Sequence, residues 1–192
     1  MKQSFIEPDE RTLKARKFLV WLFVISSFMF FFFFSSGFIV YTAGSAQRGL
    51  KTTLPSIFMY STAAILLSSI TMHLAYLAGK RFQVALQRKY LIATMALGAL
   101  FFILQLSAWD TLIKQGIYFV NLNASQSFLY IFTGAHLVHI IFGVGMLAYV
   151  LYKTFIKHAS DRNVFRLEAT SIFWHFIDIL WIYLYVFLIL AD

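Results

Sequence analysis

Residues Glu168 to Leu190 form an apolar run long enough to cross a bilayer as one helix. The run nevertheless opens on Glu168 and carries His175 and Asp178. An ionisable group in hydrocarbon costs at least ~2.5 kcal/mol on insertion scales, so each needs a partner or a protonated state. His175 and Asp178 stand three positions apart, which puts them on one helix face and within reach of each other. Trp174 and Trp181 lie beside them. The segment predicts a helix that buries polar chemistry against neighbouring helices rather than against lipid.

The rest of the chain fits a membrane protein. Of its 192 residues, 60% are hydrophobic and 12% charged, against about 45–50% and about 25% in a soluble domain. The first apolar run, Phe18 to Val40, is too long for a signal-peptide core and no small-residue cleavage pattern follows it, so it reads as a retained span. A polar tail, residues 1–17, precedes a single transmembrane domain, residues 18–192. Spans are predicted at about 18–43, 55–77, 90–109, 127–152 and 168–190, with Pro55 suiting a first helical turn. The fold class is therefore all-α, a polytopic bundle of five transmembrane helices.

Thirteen of the sixteen Lys and Arg residues fall in the tail, the second loop (Lys80, Arg81, Arg88, Lys89) and the fourth (Lys153, Lys157, Arg162, Arg166). Arg48, Lys51 and Lys114 lie on the other side. The positive-inside rule puts the N-terminus in the cytoplasm and the C-terminus outside. Orientation accounts for the net charge of +8 better than a nucleic-acid partner does. The absence of cysteine excludes disulfides, thiolate metal sites and covalent haem attachment through Cys-x-x-Cys-His.

Polar groups recur inside the spans. Span two carries Ser68, Ser69, Thr71 and His73, with Ser69 and His73 on one face. Such hydroxyls bond back to the preceding turn or across to a neighbouring helix, and that packing reading competes with a site. In span four, Ala135, His139 and Gly143 recur at i, i+4 and i+8, a small-residue stripe suited to close helix approach. His136 and His139 are candidate metal or haem ligands, but a metal needs three or four ligands and a di-haem bundle needs four histidines at matched depths. With His158 in a loop, a structural pairing of His139 or His175 with a carboxylate is the stronger expectation. The resulting buried polar network is His139, Glu168, His175 and Asp178. Trp109 reads as an interfacial anchor. Nothing resembles a nucleophile–base pair, a phosphate loop or a paired-carboxylate site, so no catalytic, cofactor-binding or metal residues are assigned and whether the chain alone is an enzyme stays open.

Spans four and five resemble the third subunit of the haem–copper terminal oxidases. That family has a Thr-Gly-Phe-His-Gly-Leu-His-Val helix, then a Glu, then a closing Tyr-Trp-His-Phe-Val-Asp-Val-Val-Trp helix. This chain has Thr133-Gly134-Ala135-His136-Leu137-Val138-His139-Ile140, then Glu168, then Phe173-Trp174-His175-Phe176-Ile177-Asp178-Ile179-Leu180-Trp181. Pro55, Leu66 to Ser69 and Thr71 resemble the second shared helix, and Gly98, Phe102 and Gln105 the third. The likeness is to the short bacterial form with five spans. Two carboxylates of the family pattern are replaced here, by Ser27 in Ile25-Ser26-Ser27 and by Ala108 before Trp109.

The resemblance implies a non-redox subunit of a proton-pumping oxygen reductase of the cytochrome c oxidase type. It would support proton uptake and the stability of a catalytic subunit I beside a subunit II, in a bacterial inner membrane with the C-terminus periplasmic; whether the complex joins a larger respiratory supercomplex stays open. Haem and copper would sit in those partners, not in this chain. It also implies bound phospholipid, with Lys153 near a lipid headgroup. A quinol oxidase or nitric oxide reductase subunit is the near alternative. A di-haem membrane cytochrome or a transporter is more remote, since no internal repeat is visible.

Overall fold

The computed structural model describes residues 10–44, 49–50, 54–120, 123–156 and 161–191. Residues 1–9, Arg48, Lys51, Asn121, Lys157 and His158 lie outside the described residues, as do the side chains of Arg11, Lys14, Arg16 and Arg162. Five α-helices follow in order: α1 (Glu10–Ala43), α2 (Ile57–Lys80), α3 (Val84–Lys114), α4 (Ala124–Ile156) and α5 (Asp161–Leu190). All five are long and apolar enough to cross a membrane. They run past the predicted spans at most ends, because the polar flanking residues are good helix formers too.

Local chemistry sets the turns. The Pro55 carbonyl accepts from Phe58 N–H at 3.0 Å, just ahead of α2. After α3, Gly116 takes φ of 80°. Its N–H reaches Ile113 O and that of Ile117 reaches Leu112 O, both at 3.0 Å, which ends the helix in a Schellman motif. The freed Ile117 carbonyl accepts from the Tyr130 hydroxyl at 2.8 Å, which ties that turn to α4.

The helices alternate in direction. α5 is the most enclosed, with 44% of its apolar window buried against 22% for α1. α2, α4 and α1 all pack on α5, α3 bridges α2 and α4, and α1 rests on α4 and α5. Lipid tails are as apolar as Leu, so apolar burial alone does not drive these contacts; close packing and interhelical hydrogen bonds do.

A single device recurs along the seams. A Ser or Thr hydroxyl donates to a carbonyl of its own helix, and its free lone pairs accept a donor from the next. Ser68 Oγ donates to Ile65 O at 2.8 Å and accepts Trp174 Nε1–H at 3.0 Å. Thr62 Oγ1 donates to Phe58 O at 2.7 Å and accepts Trp181 Nε1–H at 2.9 Å. Ser61 accepts Gln105 Nε2–H at 2.9 Å, and Thr133 accepts Trp109 Nε1–H at 3.0 Å. Ser35 accepts the Tyr183 hydroxyl at 2.8 Å. The back-bonding and cross-helix alternatives for such hydroxyls thus hold at once. Trp109, predicted as an interfacial anchor, is half-buried and joins α3 to α4, because its indole N–H finds Thr133.

Trp174 and Trp181 are fully buried. Trp181 packs on Phe58 at 6.0 Å and Phe101 at 5.0 Å between ring centres. Trp174 has room because two neighbours lack a side chain. A Cβ on Gly98 would lie 2.9 Å from its ring, and one on Gly143 would lie 3.1 Å from that ring and 3.0 Å from Ile177. Gly145 faces open space. Gly98→Ala and Gly143→Ala are expected to lower stability in detergent by ~1–3 kcal/mol through overpacking. Gly145→Ala is expected to leave it unchanged or raise it by ~0.5–1 kcal/mol, the usual helix-propensity gain. Thermal unfolding of the three variants checks both signs.

Candidate functional site

The most concentrated polar chemistry lies where α2 meets α5. Antiparallel packing brings Ser69 against His175, with Oγ and Nδ1 sharing a hydrogen bond of 2.7 Å. One turn on, Asp178 Oδ2 lies 4.0 Å from the same Nδ1. Asp178 is 2% exposed, and neither carboxyl oxygen meets hydrogen-bond geometry with a partner among the described residues. The exposed His73 completes the group, its ring 6.2 Å from that of His175.

Ser, His and Asp together invite comparison with a hydrolytic triad. The geometry is wrong for one: a relay needs nucleophile and carboxylate on opposite ring nitrogens, whereas Ser69 and Asp178 both approach Nδ1. Metal ligation fits no better. Among the described residues, no three His, Asp or Glu side chains are placed to hold a metal ion, the group of His73, His175 and Asp178 included.

The four residues predicted as one buried network fall in three places. His175 and Asp178 are neighbours, as their spacing requires. His139 does not join them, and its partner is not a carboxylate. Its Nδ1–H donates to Ala135 O at 2.8 Å, and Nε2 meets Ser27 Oγ at 3.3 Å. Both ring nitrogens are used inside the bundle, which leaves neither for a metal. Phe31 and Phe23 enclose the ring at 5.4 and 6.2 Å. The correction has a simple cause: α4 directs His139 toward α1, not toward the polar face of α5.

Glu168 is likewise not in a buried network. It sits at the basic end of the bundle, where Lys17 Nζ lies 2.7 Å from its Oε1 and the two side chains are 45% and 32% exposed. A pair so exposed contributes ~0–1 kcal/mol, so it orients α1 on α5 more than it stabilises them. His136, weighed as a ligand, is fully buried against Phe101 and Trp181, at 5.5 and 5.0 Å. Neither of its nitrogens has a hydrogen-bond partner among the described residues. In the small-residue stripe, Gly143 meets α5 closely and Ala135 packs partly buried on the main core.

Lys153 belongs to the last turn of α4 rather than to the following loop. Its Nζ lies 5.5 Å from the Tyr149 ring and 5.8 Å from that of Tyr152. Arg166 of α5 approaches the same Tyr149 ring at 5.7 Å. Below them an open groove of about 600 Å³ runs between α1, α4 and α5, lined by Val20, Phe142, Met146, Tyr149, Arg166 and Ala169 among others. Arg88 of α3 also reaches the end of α4, donating to the Thr154 carbonyl.

Sequence reasoning passed over Ser35, Ser61 and Thr62, and noted Ser27 only as a replaced carboxylate, not as the partner of His139. The usable signal was spacing. Trp174 and Trp181 are seven apart, and α2 offers hydroxyls at Ser61, Thr62, Ser68 and Ser69, about two turns apart, of which Ser68 and Thr62 accept the indoles.

A family model described as cytochrome c oxidase subunit III matches residues 10–191. The chain is 32% identical over 177 residues to cytochrome c oxidase subunit 3 of Paracentrotus lividus, covering 86% of this chain and 65% of that one. It is 33% identical over 131 residues to the Pisaster ochraceus protein of the same name, covering 67% of this chain and 48% of that one. The chain therefore spans about half to two thirds of the length of these relatives. Over 191 residues it is 26% identical to cytochrome bo(3) ubiquinol oxidase subunit 3 of Buchnera aphidicola, covering 94% of this chain and 97% of that one. With five membrane-capable helices and a family match along nearly its whole length, this chain is a multi-pass membrane protein of the cytochrome c oxidase subunit III family.

Proposed function

We propose that the chain is the non-redox third subunit of a haem–copper oxygen reductase in a bacterial inner membrane. It packs against the catalytic subunit, holds lipid, and keeps proton uptake and the catalytic centre intact over many turnovers. The observation that carries this reading is the family match over residues 10–191. The histidines support it. His139 spends both nitrogens inside the bundle, His175 is tied to Ser69, and His136 is walled in by aromatic rings. These groups do not suit haem or copper ligation, so the redox chemistry is assigned to partner subunits.

In this reading the N-terminus is cytoplasmic. Lys17, Lys80, Arg88, Lys153 and Arg166 gather at one end of the bundle, and Lys114 lies at the other. That asymmetry follows the positive-inside rule. The groove under Lys153 and Arg166 takes an acyl chain of an anionic phospholipid, with the two cations and Tyr149 at its headgroup.

The electron donor has two candidates. Most relatives named here are cytochrome c oxidase subunits, but the Buchnera quinol oxidase subunit is the one matched over 97% of its length. That match favours quinol as a second reading.

Purifying the tagged full-length chain from native membrane in mild detergent tests the reading. It is expected to bring down a complex with a reduced-minus-oxidised haem spectrum and oxygen-reductase activity. The separated chain is expected to be colourless. A haem band on the separated chain, or a pull-down without haem, contradicts the reading, and quinol against reduced cytochrome c in the oxygen assay separates the donors. For the lipid, each basic side chain near an anionic headgroup contributes ~1 kcal/mol. Lys153→Ala with Arg166→Ala is therefore expected to cut retained anionic phospholipid roughly tenfold or more, read by mass spectrometry of the purified complex.

A further inference from the structure

α5 is covered by α4, α2 and α1, yet one side of it stays open. Along that side Ile179 and Ile182 are exposed, and on the adjoining face of α2 so are Leu66 and Ile70. A lipid-facing surface is expected to look like this, except at one place. His73 is exposed in the middle of it, and His175 beside it keeps 31% of its side chain accessible.

The depth of this pair is legible from the helices. His73 lies seven residues inside Lys80, the last residue of α2, and His175 lies seven residues beyond Glu168, which pairs with Lys17. At 1.5 Å per residue both imidazoles sit about 10 Å inside the charged end of the bundle. That is hydrocarbon, and an imidazole has too short a stem to reach the interface from there. Polar side chains at such depth face the bundle interior or a protein partner, because lipid tails offer no hydrogen bond. α2 turns Ser68, Met72 and Ala75 inward and leaves His73 outside. Asp178, buried just behind, meets hydrogen-bond geometry with no partner among the described residues.

We propose that the α2–α5 face centred on His73 and His175 is the docking surface for a transmembrane helix of the partner oxidase subunit, and that this helix presents a carboxyl, amide or hydroxyl to the two imidazoles. The proposal rests on the reading of the chain as an oxidase subunit. A helix fits where lipid does not, since only protein supplies a hydrogen-bonding group at this depth. A second copy of this chain fits less well, because a two-fold contact would set the same two imidazoles against each other.

A photo-reactive benzoylphenylalanine placed at Ile70 or at Ile179 tests this in the intact complex in native membrane, with Phe33 of α1 and Ile103 of α3 as outward controls. The two face positions are expected to cross-link to one larger membrane polypeptide, and the controls are not. Cross-links from the face to lipid alone, or to a second copy of this chain, overturn the proposal. If the haem complex still co-purifies in that case, the subunit reading survives and only the docking face is lost. A second arm uses His73→Leu and His73→Gln. Docking predicts that Leu lowers retention on the complex through a detergent titration about threefold to tenfold, the range of one interhelical hydrogen bond, and that Gln keeps most of it. A face bathed in lipid predicts retention with Leu equal to or better than the native chain, which contradicts the proposal.

Discussion

The two indole N–H groups of α5 set the terms for this bundle. Trp174 and Trp181 are buried at depths without water, where an unpaired donor costs several kcal/mol. Ser68 and Thr62 of α2 accept them while donating their own protons to Ile65 and Phe58 carbonyls. Both hydroxyl functions are thus used, and none is left to seek lipid. Since apolar contact gives no net drive between helices in hydrocarbon, these bonds fix the antiparallel register of α2 on α5.

The other seams obey the same rule. Ser61 with Gln105 joins α2 to α3, Thr133 with Trp109 joins α3 to α4, Ser35 with Tyr183 joins α1 to α5, and Ser27 with His139 joins α1 to α4. The last pair shows what Ser27 does in α1. The hydroxyl serves the histidine as a short polar contact and brings no buried charge with it. Gly98 and Gly143 complete the design by yielding the volume that Trp174 occupies.

Much of this was legible in the sequence, and the limits are physical. Five helices follow from five apolar runs, since no other open structure satisfies its backbone in lipid. Their ends do not follow, because helix propensity continues where the bilayer stops. The nearness of His175 and Asp178 follows from their spacing on one helix. The partners of His139 and Glu168 do not, because an ionisable residue announces its need for a partner but not the direction in which its helix turns it. His139 faces α1, and Glu168 lies level with Lys17 at the basic end. The serines were hardest to read: a hydroxyl satisfied on its own helix gives no sign that it also accepts from the next.

If paired hydroxyls and indoles hold α2 to α5, their energies must be coupled. A double-mutant cycle of Thr62→Val and Trp181→Phe, read by unfolding in detergent, measures that coupling directly. The account predicts a favourable interaction of roughly 0.6–1.7 kcal/mol, the range found for interhelical hydrogen bonds in membranes. Strictly additive effects would contradict it.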